Sequence, residues 1–79
     1  MKEKFYTLMK AQGFASLRQF AKATGIQVGN VYSNLCGRWK LSIDRAFIYA
    51  TTLGVPIDTI LEIFYEEEMA ENKRSADNR

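Results

Sequence analysis

The sequence predicts an all-α single domain of five helices. Apolar residues recur at spacings of three and four along nearly the whole chain, the period of a helix with one buried face. Gly13, Gly25, Gly37 and Gly54 each fall just beyond such a run, where helices end. No two-residue hairpin turn separates alternating segments, so no strand reading competes. Seventy-nine residues make one domain. A chain this short buries only about 60–65% of its unfolded surface, so one modest core must hold it. A hydrophobic content of 47%, with 13% aromatic residues and one proline, suffices for that core and argues against disorder.

Phe5, Leu8 and Met9 set the stripe of a first helix from about Lys2 to Gln12, closed by Gly13. Ser16 reads as the cap of a second, with Gln19 at capping-box spacing and Leu17, Phe20 and Ala21 facing inward. Gly25 ends it, because glycine takes the left-handed conformation without steric cost. Ile26 plugs the core, and a third helix runs from Gln27 to Cys36 with Val31 and Leu35 inward and Val28 at the margin. Arg38-Trp39-Lys40-Leu41 reads as a loop with Trp39 as its packing anchor. Ser42 caps a fourth helix whose stripe is Ile43, Ala46, Phe47, Ala50 and Leu53. Pro56 sits at the start of a fifth, where a missing N–H does no harm, with Ile57, Ile60, Leu61 and Phe64 as its stripe. The expected organisation is a domain over residues 1–68 and a charged tail over 69–79.

Net charge is only +2, but it is unevenly spread. Residues 1–61 hold eight basic and three acidic groups, a net of +5, and residues 62–79 carry −3. A basic body suits a polyanion such as nucleic acid. One cysteine, Cys36, excludes an internal disulfide and fits a reducing cytoplasm. With no histidine and a single cysteine, no metal site is expected. Neither a signal peptide nor an apolar run of membrane-spanning length is visible. An enzyme is the weakest class, since there is no recognisable carboxylate pair, phosphate loop or cysteine dyad, and no cofactor is expected.

The informative stretch runs from Ser16 to Leu35. Small Ala21 lets the second helix cross close to the third, Gly25 reverses the chain, and Ile26 and Val31 pin the pair. In "SLRQFAKATGIQVGNVYSNLCGRWKLS", and again in "YATTLGVPIDTIL", the chain resembles the phage repressor and Cro family of helix-turn-helix regulators, the xenobiotic-response-element type. The resemblance covers roughly residues 5–64. It implies a lambda-repressor-like fold with helices two and three as a helix-turn-helix, the second of them lying in the major groove. It further implies a transcriptional regulator, most often a repressor, that binds double-stranded operator DNA as a homodimer. The chain departs from the family at Leu17, where Gln is frequent, and at Leu41, where Pro is frequent.

With Val31 turned to the core, a rotation of 100° per residue puts Gly29, Asn30, Tyr32 and Ser33 outward, and Gln27 and Val28 at the exposed start. Gln27 and Asn30 can bond adenine, and Val28 can pack on a thymine methyl. The expected base contacts are therefore Gln27, Val28, Gly29, Asn30 and Ser33, with Gly29 admitting close backbone approach. The expected phosphate contacts are Ser16, Arg18, Tyr32, Arg38, Lys40 and Arg45. Tyr32 reads alternatively, and slightly better, as partial packing over neighbouring core residues. Ile63, Phe64 and Tyr65 are consecutive, so at least one should face outward and form a dimer contact. The competing reading is an antitoxin-like protein-interaction module on the same scaffold, binding its partner through helix five and Glu66-Glu67-Glu68.

Overall fold

The computed structural model describes residues 2–65, which form five helices and, among the described residues, no strand. These are α1 (Glu3–Ala11), α2 (Leu17–Thr24), α3 (Val28–Leu35), α4 (Ile43–Leu53) and α5 (Ile57–Tyr65). All five fall where the periodicity puts them, to within two residues at the ends they share. The expected tail, Glu66 to Glu68 and any continuation of α5 lie outside the described residues. No single described helix is long and apolar enough to cross a membrane.

Both serine caps form. The Ser16 Oγ accepts from the Gln19 N–H at 3.2 Å, and the Ser42 Oγ accepts from the Arg45 N–H at 3.1 Å. Gln19 reaches back as a capping box requires, but its Oε1 accepts from the Ala15 N–H at 2.8 Å, one residue before the cap. The first four helices share one termination device. After α2, Gly25 lies at φ 78°, its N–H bonds the Lys22 carbonyl at 3.3 Å, and the Ile26 N–H bonds the Ala21 carbonyl at 3.3 Å. This is a Schellman motif, which satisfies carbonyls that a helix end would otherwise orphan. The equivalent bonds occur after α1, α3 and α4. The residue following the glycine is apolar and packs on the core in three of them: Phe14, Ile26 and Val55. After α3 it is Arg38, which is exposed.

Aromatic rings bind the core. Phe5 of α1, Phe20 of α2 and Tyr49 of α4 are fully buried, and Phe64 of α5 packs against them. Phe5 meets Phe20 edge-on at 5.2 Å, Tyr49 at 5.5 Å and Phe64 at 5.6 Å, the offset geometry that ring quadrupoles favour. Helix α3 brings no ring; it contributes Val31 and Leu35. The α4 stripe differs from expectation. Ile43 and Phe47 are 59% and 55% exposed, while Ala46, Tyr49, Ala50 and Leu53 are buried. Two overlapping stripes of period 3.6 exist on this helix, and the one containing Tyr49 turns inward because its hydroxyl finds a buried partner.

Two glycines should respond oppositely to alanine. Gly25→Ala forces a Cβ into the left-handed region, which costs about 1–2 kcal/mol, or roughly 4–8 °C in melting temperature per kcal/mol. Gly29 lies inside α3 at ordinary φ with nothing within 4 Å of an added Cβ, so Gly29→Ala should stabilise by about 0.5–1 kcal/mol. Thermal denaturation followed by circular dichroism reads both signs.

Candidate nucleic-acid interface

Helix α3 is held at both ends and bare at its start. Ahead of it, the Gly25-Ile26-Gln27 connection seats Ile26 against the core. The Thr24 Oγ1 braces that turn, donating to the Ala21 carbonyl at 2.7 Å and accepting from the Ile26 N–H at 3.1 Å. Gln27 precedes the helix without capping it through its side chain, so the carboxamide is not consumed there. Gln27, Val28 and Gly29 are exposed, and Asn30 is half-buried. These four form one end of the helix surface.

Ser33 does not join them. It is buried, and its Oγ donates to the Gly29 carbonyl one turn back at 2.9 Å. The cause is the chain after α3, which folds back so that the Arg38 and Trp39 N–H groups bond the Ser33 carbonyl at 3.0 and 3.2 Å. A helical wheel treats that side as open because it cannot include the loop. Tyr32 is exposed, but a hydrogen bond to the Cys36 side chain holds its phenol above the ordinary value and turns the hydroxyl toward the C-terminal end of α3.

Asn34 is the residue that pattern reading missed. It is 2% exposed, and its carboxamide uses all its bonding capacity. Its Oδ1 accepts from the Tyr49 hydroxyl at 2.9 Å and from the Arg45 guanidinium at 3.1 Å. Its Nδ2 donates to the carbonyls of Trp39 at 3.3 Å and Lys40 at 3.4 Å. Arginine can only donate, so the orientation of the amide is fixed. The signal was available: on the same wheel Asn34 lies about 60° from Val31, on the flank of the core side opposite Leu35.

The expected phosphate contacts divide accordingly. Arg18, Arg38 and Lys40 are exposed. Ser16 is exposed with its oxygen engaged as a cap. Arg45 is half-buried and bonded to Asn34, so it braces α3 first and has only its remaining donors for an anion. Trp39, expected as the loop's packing anchor, is 50% exposed; its carbonyl, not its ring, fastens the loop. Of the expected dimer contact, Ile63 is buried, and Phe64 and Tyr65 are half-buried. Phe64 stacks with Tyr49 beneath the Lys2 ammonium, and the Tyr65 hydroxyl donates to the Leu41 carbonyl at 2.9 Å. Phe64 packs against α1 and α4, and Tyr65 reaches the α3–α4 loop, so each is engaged on one side while remaining half-buried. Among the described residues no group of three or more Cys, Asp or Glu side chains is arranged to hold a metal ion.

Removing the Asn34 carboxamide strands a buried hydroxyl and a guanidinium, so Asn34→Ala should destabilise by about 1–3 kcal/mol, against about 0.5–1.5 kcal/mol for Tyr49→Phe. Burial pushes the Tyr49 phenol up to about 12, above its ordinary 10, with nearby Arg45 opposing. Between these values the folded state holds a proton that the unfolded state releases. The stability is complete below about pH 10 and is lost as pH rises toward 12. Denaturant titrations across that window should show a smaller fall for Tyr49→Phe than for the unsubstituted protein. No protein-family model, curated protein or solved structure matches this chain.

Proposed function

We propose that this protein is a sequence-specific, duplex-DNA-binding transcriptional regulator that reads the major groove with α3. The observation that carries the reading is the bare start of that helix, with Gln27, Val28 and Gly29 exposed together on an element braced from behind. Glutamine offers both donor and acceptor to an adenine edge, valine a methyl surface for thymine, and glycine room for close approach. Asn30 adds a second amide one turn nearer the core. Ser33, being buried, is dropped from the reader set.

Helix α3 carries no lysine or arginine. Attraction to phosphate must come from its surroundings, where Arg18, Arg38 and Lys40 are exposed and the body through residue 61 has a net charge of +5. The reading as a helix-turn-helix of α2 and α3, and as a repressor of phage or mobile-element type acting as a homodimer, extends the sequence resemblance. The competing interaction module on α5 is less well supported, because its three apolar residues are engaged within the chain.

Fluorescence anisotropy with duplexes from the encoding locus, over a range of salt, tests the reading. Arg38→Ala and Lys40→Ala should weaken binding to all sequences alike and shrink the salt slope by about 1 each. Gln27→Ala should cost about 1–3 kcal/mol on the preferred site and little elsewhere, whereas Ser33→Ala should leave sequence preference unchanged. A folded protein that binds no duplex at low salt would sink the proposal.

A further inference from the structure

Trp39 has a fixed backbone and an open ring. Its N–H bonds the Ser33 carbonyl at 3.2 Å, and its carbonyl accepts from the Asn34 Nδ2 at 3.3 Å. Both partners lie in α3, so Trp39 is tied back to that helix across the Gly37 turn. The ring is nevertheless 50% exposed, and its neighbours Arg38 and Lys40 are exposed cations. Exposed apolar side chains occur singly on every protein surface, so exposure alone assigns nothing; position, charge and rigidity do. We propose that Trp39 is a DNA contact, its indole packing on the deoxyribose–phosphate strand at the edge of the groove that α3 enters. This contact rests on the DNA reading above and adds to it an apolar hold on the strand, made by a residue outside both the base-reading and the phosphate-binding sets.

Position is the first argument. The eight residues of α3 rise about 12 Å, and a major groove is about 12 Å wide. With Gln27, Val28 and Gly29 against base edges, the far end of the helix comes out at the groove wall, where a sugar–phosphate strand runs. Trp39 is hydrogen-bonded to that far end. A helical wheel leaves Ser33 open there, one turn from Gly29 on the same row. The loop instead covers Ser33, whose Oγ turns back to the Gly29 carbonyl, and brings Trp39 to that side of the helix.

Charge is the second argument. From residue 4 to residue 43 the chain holds six basic side chains and no acidic one. Arg38 and Lys40 stand on either side of the ring in sequence, so a phosphate strand drawn to that pair passes the indole. The indole suits such a strand chemically: a flat apolar face for deoxyribose carbons, and one N–H to donate to a phosphate oxygen. Rigidity is the third argument. The Trp39 backbone is already ordered in the free protein, so binding has only two side-chain torsions to fix. A strand contact carries no base information, and an apolar one releases no counterion. Trp39 should therefore add affinity on every duplex alike and leave the salt dependence untouched.

Trp39 is the sole tryptophan, so its emission reports on the contact directly. The full chain is titrated with a duplex from the encoding locus, a duplex of unrelated sequence, and one strand of each. On both duplexes Trp39 should become shielded from the neutral quencher acrylamide. Trp39→Ala should weaken binding to both by about tenfold, with the slope of log K against log salt unchanged, where Arg38→Ala lowers that slope by about 1. Phe47→Ala, at an exposed aromatic on α4, should leave the affinity as it is. Trp39→Ala should also keep the melting temperature, because the bonds that hold the loop come from the Trp39 backbone; if it does not, shielding in the unsubstituted chain decides. Duplex binding with Trp39 as open to acrylamide as in the free protein overturns the inference and leaves the DNA reading standing. So does an unchanged affinity, or a reduced salt slope, for a folded Trp39→Ala. Stronger shielding by the single strands than by the duplexes overturns it as well, since the ring would then be stacking on unpaired bases. A folded chain that binds no duplex at low salt defeats the DNA reading, and this contact with it.

Discussion

Four hydrogen bonds converge on the carboxamide of Asn34, and the placement of α3 depends on them. The helix contributes only Val31 and Leu35 to the hydrophobic core and no ring to the aromatic cluster. Apolar burial alone would hold it loosely, since two aliphatic side chains supply only about 3–6 kcal/mol before conformational entropy is counted. Asn34 adds a polar lock at the other end from the Gly25 turn. One side chain ties α3 to Tyr49 and Arg45 of α4 and to the backbone of the loop between them. Tyr49 is itself in the ring cluster with Phe5, Phe20 and Phe64, so the lock is anchored in the core. A buried network with every member satisfied specifies one arrangement, whereas a partly satisfied one would destabilise it. Here no buried side-chain nitrogen or oxygen among the described residues lacks a partner.

The helix order, the ends and both serine caps were legible because they depend on local chemistry. Glycine at a positive φ and serine ahead of an apolar run act within one turn of the chain, and their signals survive without tertiary knowledge. The phase of the buried stripe was less legible where two phases were both apolar. On α4, Ala46, Ala50 and Leu53 turn inward as expected, but Ile43 and Phe47 yield the inside to Tyr49, a choice that hydrophobicity alone does not make. The decision rests on Asn34, fifteen residues away in sequence, which gives the Tyr49 hydroxyl a partner and makes its burial affordable. Ser33 fails for a related reason. A wheel drawn for α3 has no knowledge of a loop that folds back onto it. At α5 at least one of three consecutive residues was expected outward; Ile63 is buried, while Phe64 and Tyr65 stay half-buried with one side engaged by a neighbouring element.

The candidate site divides into a polar end and an anchored end. At the start of α3, Gln27 to Asn30 offer hydrogen-bonding and methyl groups with no charge. Around the helix, on α2 and in the α3–α4 loop, the exposed cations are spaced outside it. Arg38 occupies the position after Gly37 that an apolar residue takes after α1, α2 and α4. The helix termination therefore forgoes a core contact there and presents a cation instead. Arg45 was expected to serve phosphate because a cation in the first turn of α4 opposes the helix dipole. Its bond to the Asn34 oxygen offsets that cost within the protein, so no external anion is needed to explain it.

The loop from Gly37 to Leu41 connects α3 to α4. Its carbonyls are held by Asn34, and its side chains Arg38 and Lys40 point the charge of the domain outward. Rearranging this loop would disturb the Trp39 and Lys40 carbonyls, release Nδ2 of Asn34, and loosen α3 at its C-terminal end. Asn34 therefore joins α3, the loop and α4 in one set of four bonds, and the loop's backbone keeps its place only while that carboxamide does.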